Sequence, residues 1–167
     1  MITKLLHAAP TFTKSKELIF IREKYGQSSQ PPPLCLNIEH VSCAKVLGIT
    51  LNDQLSATDH VNNLLTSCSS LLNVMRVLRG HGISTESLHD VFHATILANI
   101  TYCLPAWSGL CSASDHAKLD SFLNRCTRLG FYDNTVPTIS NVFSNADDSL
   151  FKTILKNSYH VLYPLVD

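Results

Sequence analysis

The feature that most constrains the fold is a run of apolar residues between positions 61 and 78 that recurs at steps of three and four. This spacing places its members on one face of an α-helix, because a helix completes a turn in about 3.6 residues. Ser56 or Thr58 is suited to cap the start, and Gly80-His81-Gly82 is suited to end it. A long amphipathic helix is therefore predicted. Its apolar stripe is Val61, Leu64, Leu65, Cys68, Leu71, Leu72, Met75 and Leu78.

Two later segments repeat this pattern. One begins after Ser84, with Glu86 in its first turn, and ends before Pro105. The next begins near Ser114 and Asp115 and closes at Gly130. Three helices with one apolar face each indicate a bundle. The two faces consist of Leu88, Val91, Phe92, Thr95, Ile96 and Ile100, and of Leu119, Phe122, Leu123, Cys126 and Leu129.

The chain loses periodicity after Asp133 and regains it at Asp147. A last short helix is predicted from there toward Tyr159, ended by Pro164. Its apolar residues are Leu150, Phe151, Ile154 and Leu155.

The segment before the first helix favours strands. KELIFIR at 16–22 is rich in β-formers, and the prolines of 25–33 require a loop. Leu34–Ile38 and Ala44–Leu51 are two further extended runs. The predicted fold class is α+β, a small antiparallel sheet followed by a bundle of three to four helices.

Charge and cysteine content narrow the class of protein. Lys+Arg and Asp+Glu both total 13, which excludes a global electrostatic signature for nucleic acid or an anionic membrane. No signal peptide or apolar run of about 20 residues is visible. Cys68 and Cys126 lie on predicted apolar helix faces, so buried free thiols in an intracellular protein, of the cytoplasm or nucleus, are expected.

The sequence contains no recognisable complete active site. His89 and His93 have the spacing of a shared metal site, with Asp90 after the first, but no third ligand is evident. Two helical histidines on a polar face are favoured over a metal-dependent hydrolase. Asp147-Asp148 is explained by capping a helix start. Phosphate-binding and nucleophile motifs are absent from the sequence, so a self-sufficient enzyme is not expected.

Seven segments, in order, resemble the reverse transcriptases of non-LTR (LINE-type) retrotransposons, downstream of their catalytic strand pair. KSKELIF is similar to a strand at the palm edge, CAKVLGITL to the primer-grip hairpin, and LSATDHVNNLL to the start of the thumb helix. LLNVMRVLRGHGIS, ILANITYCLPAWSG and RCTRLGF are similar to later thumb motifs, and DDSLFKTILKNSYHVLYPLV to a terminal motif. The segments lie at 14–20, 43–51, 55–65, 71–84, 96–109, 125–131 and 147–166.

The resemblance implies RNA-directed DNA polymerisation in the parent enzyme, where palm aspartates, one pair of them in a YxDD turn, bind Mg²⁺. The sequence contains neither aspartate motif, so we expect a catalytically incomplete fragment without a cofactor of its own. The implied domains are palm-end strands and hairpin at 1–51, a thumb-like helical domain at 52–131, and a tail with a short helix at 132–167.

The resemblance also implies which residues contact nucleic acid. Val46, Leu47 and Gly48 would form the primer grip, and the partner would be an RNA/DNA template–primer, weakly bound. Basic candidates for phosphate contact are Lys14, Lys16, Lys45, Arg76 and Arg79.

Two alternatives accompany this interpretation. The strands, hairpin and helix start also resemble the AlkB-homologue N-terminal region, but the sequence lacks the HxD motif of an Fe(II) oxygenase. The second is a protein-interaction module that uses the helical unit and an exposed sheet edge. Neither alternative involves a membrane partner.

Overall fold

The computed structural model describes residues 15–20, 38–132 and 138–165. The fold is α+β, as predicted, with short strands ahead of a helical bundle. Lys14, the 25–33 loop and most of the predicted run Leu34–Ile38 lie outside the described residues. The strands are β1 (Lys16–Glu17), β2 (Glu39–His40), β3 (Cys43–Val46) and β4 (Ile49–Asn52). The helices are α1 (Thr58–Gly80), α2 (Thr85–Phe92), α3 (Ala98–Thr101), α4 (Ala113–Arg128) and α5 (Ile139–Lys156).

The predicted single extended run Ala44–Leu51 is wrong, because the chain folds back on itself within it. β3 and β4 pair antiparallel, with Val46 opposite Ile49, so only Leu47 and Gly48 form the turn. Both have positive φ, 48° and 90°, as a two-residue type I′ turn requires. The other pair, β1 with β2, is parallel. The described strands thus form two two-stranded sheets instead of one antiparallel sheet.

The long helix α1 confirms the periodicity argument. Val61, Cys68, Leu72 and Met75 are buried, and the other members of the predicted stripe are half-buried. The predicted cap at Ser56 or Thr58 is wrong, because the N-cap position is Ala57, which makes no side-chain cap hydrogen bond. The Ser56 hydroxyl instead accepts the backbone N–H of Thr58, the first residue of the helix. After Gly80 the chain turns at Gly82, whose φ of 84° ends the helix.

The second predicted helix continues as a helix, but its hydrogen-bond pattern changes along its length. The Ser84 hydroxyl caps α2 by accepting the backbone N–H of Ser87. A π-helical turn over His93–Leu97 then joins α2 to α3. Four apolar side chains of the segment remain buried through this turn. They are Leu88, Phe92, Ile96 and Ile100.

Helix α4 begins with a capping box. Ser112 accepts the backbone N–H of Asp115, whose carboxylate in turn accepts the backbone N–H of Ser112. The helix ends one residue before Leu129, and Gly130 follows with a φ of 70°. The predicted bounds are therefore confirmed to within two residues.

The last helix is longer than predicted. α5 begins at Ile139, eight residues before Asp147, and the Thr138 hydroxyl accepts the backbone N–H of Asn141 at its start. Asp147 and Asp148 therefore lie inside the helix, and the interpretation that they cap its start is wrong. Burial of Ile139 and Phe143 accounts for the additional turns.

The core is centred on Trp107, which is fully buried. Its indole packs edge-on against His60 and Phe143, with ring centroids 4.9 Å and 5.4 Å away. The indole N–H donates to the carbonyl of Tyr102 over 3.1 Å. The same cluster extends to Ile49 of the hairpin, so the β3–β4 hairpin and the helices share one core. Across the described ranges, no helix combines the length and apolarity needed to cross a bilayer.

Candidate functional site

The tip of the β3–β4 hairpin projects from the helical unit and is held at one point. Leu47 is 84% exposed at the turn. Its carbonyl oxygen accepts a hydrogen bond from the Tyr102 hydroxyl over 3.2 Å. Tyr102 also lies against Gly48, since its Cε1 is 3.2 Å from the position that a Cβ on Gly48 would take. The predicted primer-grip residues are thus brought together at an exposed turn that rests on Tyr102.

The body of the hairpin is held at a second point by His60. The backbone N–H of Thr50 donates to His60 Nδ1 over 3.4 Å, which requires an unprotonated Nδ1. Burial, together with the charge of Lys45, lowers the pKa of His60 below its usual 6.5. The neutral imidazole joins the hairpin to Trp107 in the core.

A third link joins the end of the hairpin to the start of α1. The amide of Asn52 donates to Asp59, and its side-chain oxygen accepts the backbone N–H of Ser56. The hairpin is therefore attached to the helical unit at three points, by Tyr102 at its tip, by His60 at β4 and by Asn52 at its end.

The start of α1 is in turn attached to α4 through the fully buried carboxylate of Asp115. Asp115 accepts hydrogen bonds from Ser112, from the Thr58 hydroxyl at 2.9 Å and from Lys118 at 3.4 Å. Burial acts to raise the pKa of Asp115, but these hydrogen bonds outweigh burial and lower it. The charge of Asp115 is thus compensated inside the protein.

The structure does not gather the basic candidates into one patch. Lys16 forms an ion pair with Glu39 at 3.4 Å, whereas Lys45 and Arg76 are exposed and make no ion pair within the described ranges. Arg79 donates to the carbonyl of Leu129 over 2.6 Å. Lys14 lies outside the described residues.

Arg79 is committed to joining the ends of α1 and α4. Its guanidinium also stacks over the ring of Phe131, 4.3 Å from the centroid. His89 lies beside it, with Nε2 at 3.3 Å from the carbonyl of Gly130. Arg79 and His89 thus approach the carbonyl groups of Leu129 and Gly130, the two residues that follow α4.

Lys45 and Arg76 stand at opposite ends of α1. Lys45 is the neighbour of His60 near the first turn, and Arg76 lies in the last turns. The helical rise between positions 60 and 76 is about 24 Å. Positions 60 and 76 are also about 160° apart around the helix, so the two cations lie on different sides of α1.

His89 of α2 and His93 of the π-helical turn each contact other groups of the protein. His93 packs against the ring of Tyr132, with centroids 5.7 Å apart, and His89 approaches Gly130. Among the described residues, no three His, Cys, Asp or Glu side chains are close enough together to hold a metal ion.

Three cysteines of the helical unit, Cys68, Cys111 and Cys126, are not poised as nucleophiles. Burial raises the pKa of Cys68 and Cys111 to about 11 and that of Cys126 to about 12. A thiol with such a pKa is protonated at neutral pH, and the thiolate is the nucleophilic form. Cys68 and Cys126 are buried and free, as predicted.

Sequence reasoning missed Tyr102 and His60 as the residues that hold the hairpin. Gly48 was the available signal for the turn, since a glycine between two β-forming runs indicates a hairpin. The contacts themselves join residues 10 and 55 positions apart and leave no periodic trace.

In comparisons with known proteins, the chain matches no protein-family model, no curated protein and no solved structure.

Proposed function

We propose that this chain supports a primer–template duplex, as the hairpin and thumb-like part of a non-LTR retrotransposon reverse transcriptase. The observation that carries the proposal is the exposed Leu47-Gly48 turn, fixed by Tyr102 beside a long helix. In the proposed role the turn meets the primer end, and the outer face of α1 follows the duplex backbone.

Contacts between the family-like segments support the proposal. The hairpin segment meets the YCLPAW segment at Leu47 and Tyr102. The helix-start segment meets the same YCLPAW segment at His60 and Trp107. The segment that ends α1 meets RCTRLGF at Arg79. The segments that resemble the family in sequence are thus in contact with one another in the structure.

The charges permit weak duplex binding. Lys45 and Arg76 are exposed and form no ion pair within the described ranges, so each is available to a phosphate group. Arg79 has a structural role instead and is omitted from the proposed phosphate contacts. Two phosphate contacts give low affinity and a shallow salt dependence.

The proposal assigns no nucleotide transfer to these residues, because the sequence contains no YxDD turn. Purified chain, a primed RNA template, Mg²⁺ and deoxynucleotides should therefore give no template-dependent extension. Incorporation that depends on the template would refute this part of the proposal.

Binding is tested by fluorescence anisotropy with an RNA template annealed to a labelled DNA primer. Arg76→Ala should weaken binding and lower the slope of log K against log salt by about 1. Arg128→Ala, which removes an exposed cation at the end of α4, is the matched control and should leave that slope unchanged. Equal effects of both variants would show that binding depends on net charge alone.

A protein-interaction module is the second candidate function, favoured by one observation. β3 pairs only with β4 among the described strands, so the outer edge of β3 offers free backbone groups for an added strand. In β3 the backbone N–H of Cys43 points away from β4, because Cys43 and Asn52 form a non-hydrogen-bonded pair. Replacing Cys43 by proline should abolish partner binding at this edge while duplex binding persists.

A further inference from the structure

The C-terminal part of the chain exposes a concentrated set of apolar side chains. Phe151 and Leu155 of α5 are 47% and 51% exposed. Ile154, three residues after Phe151, is buried, yet it lies outside the cluster that forms the main core. The exposed set, here called the α5 face, consists of Phe151, Leu155, Tyr159, Val161, Leu162 and Leu165.

The helical part of this face combines apolar and charged side chains. Phe151 and Leu155 are four residues apart and therefore adjacent on the helix surface. Asp148 and Lys152 lie on the same surface, since they are separated from these residues by three or four positions. Apolar and charged side chains thus share one exposed strip, and the buried Ile154 lies beside it.

The charges along α5 are ordered. Asp147 and Asp148 precede the apolar pair, and Lys152 and Lys156 accompany and follow it. Asp148, Lys152 and Lys156 are exposed and form no ion pair within the described part of the chain. On the exposed side of each helix, the carboxylate of Asp148 near the middle of α5 is therefore followed by the ammonium groups of Lys152 and Lys156 toward its C-terminal end.

The acidic and basic side chains of two α5 helices can face each other only when the helices run antiparallel. In a parallel pair the carboxylates of Asp148 would face each other. In an antiparallel pair centred between Phe151 and Lys152, Asp148 comes level with Leu155 of the other copy, between that copy's Lys152 and Lys156. The two-fold axis of the dimer repeats this contact, so it occurs twice.

We propose that the α5 face is a self-association surface, which joins two copies of this chain through antiparallel pairing of their α5 helices. Phe151 and Leu155 supply the apolar centre, and Asp148 with Lys152 and Lys156 sets the direction. The formal net charge of the chain is +0, so no overall repulsion opposes the pairing. The proposal is independent of nucleic-acid binding, which uses the hairpin and α1.

Sedimentation velocity of the full chain over a range of concentrations tests the proposal. The native chain should show a reversible monomer–dimer equilibrium. Phe151→Ser with Leu155→Ser should leave only monomer, while the far-UV circular dichroism keeps its helical signal. Val74→Ser with Val77→Ser, on exposed positions of α1, is the matched control and should dimerise as the native chain does.

Charge reversal distinguishes the proposed pairing from general stickiness. Asp148→Lys gives a strip that is basic throughout, and Lys152→Asp with Lys156→Asp gives one that is acidic throughout. Each variant alone should dimerise at least about tenfold more weakly than the native chain, because like charges then meet. An equimolar mixture of the two variants should regain association.

Two results would overturn the proposal. The first is a native chain that stays monomeric throughout the concentration range. The second is a pair of charge variants that associate alone as well as they do when mixed. A covering of the α5 face by another segment of the same chain would give the first result.

Discussion

The hydroxyl of Tyr102 donates to the carbonyl oxygen of Leu47 across 55 positions of sequence, with 3.2 Å between the two oxygens. The bond ties the turn between β3 and β4 to the residue that follows α3. Because the tyrosine ring also lies against Gly48, a side chain at position 48 would require the ring to shift by a few tenths of an ångström. The presentation of the hairpin tip thus depends on a loop of the helical unit.

Gly48→Ala should destabilise the chain by about 2–3 kcal/mol, since it adds positive-φ strain and a clash with the Tyr102 ring. Gly82→Ala provides the matched control, because Gly82 has a φ of 84° and open space around its Cβ position. It should cost about 1–2 kcal/mol from strain alone. Urea unfolding measures the loss of unfolding free energy in both variants. Equal losses would show that the Tyr102 ring adds nothing to the cost at Gly48.

Falling pH should weaken the hold on the hairpin through His60. The folded-state pKa of His60 is lowered by burial and by Lys45, whereas the unfolded value is about 6.5. The unfolded chain therefore binds the proton more readily, so this contribution to the free energy of unfolding is complete above pH 6.5. It decreases as the pH falls below that value toward the folded-state pKa.

His60→Asn keeps a hydrogen-bond acceptor near Thr50 but does not titrate. Its free energy of unfolding should fall less between neutral pH and pH 5 than that of the native chain. His40→Asn, on exposed β2, is the matched removal of a histidine. A native and a His60→Asn profile of the same shape would contradict the assignment.

Arg79 and Arg76 should separate stability from binding. Arg79→Ala loses a hydrogen bond to Leu129 and the stacking on Phe131, at a cost of about 1–2 kcal/mol in unfolding free energy. Arg76→Ala should cost less than about 0.5 kcal/mol. In duplex titrations the order reverses, and only Arg76→Ala should weaken binding. The same ranking of the two variants in both assays would contradict this division of roles.

Asp115→Asn should be among the most destabilising conservative substitutions, at about 3 kcal/mol. The amide cannot accept all the hydrogen bonds from Ser112, Thr58 and Lys118 that the buried carboxylate accepts. Because the folded-state pKa lies below 3.8, the native stabilisation is present above that pH and is lost as the pH falls through the folded value. Thermal unfolding at neutral pH, with Asp90→Asn on the exposed surface of α2 as control, measures the difference.

Local sequence signals predicted the elements that are stabilised locally. The stripe of α1, the cap at Ser84 and the glycine at position 130 each act within a few residues, and the structure confirms them. The start of α5 was missed although Ile139 and Phe143 have helical spacing. Ser140 and Asn141 between them are poor helix formers, and the helix there depends on tertiary burial against Trp107.

The candidate site was predictable only in part. Val46, Leu47 and Gly48 were chosen by resemblance, and the structure places them at one exposed turn. The tie from Tyr102, the hydrogen bond to His60 and the engagement of Arg79 by Leu129 are long-range contacts. Such contacts follow from the way the helices pack, which periodicity within one segment does not specify.

Photo-crosslinking from the hairpin tip tests the central proposal most directly. A photoreactive phenylalanine analogue in place of Leu47 should crosslink to the 3′-terminal nucleotides of a DNA primer on an RNA template. The same analogue at Tyr159, distant in sequence on the exposed tail, is the control and should give no such product. A primer-end crosslink from position 47 that weakens in Tyr102→Phe is the predicted result. Crosslinks spread evenly along the duplex, or none, would contradict the assignment of the hairpin to the primer end.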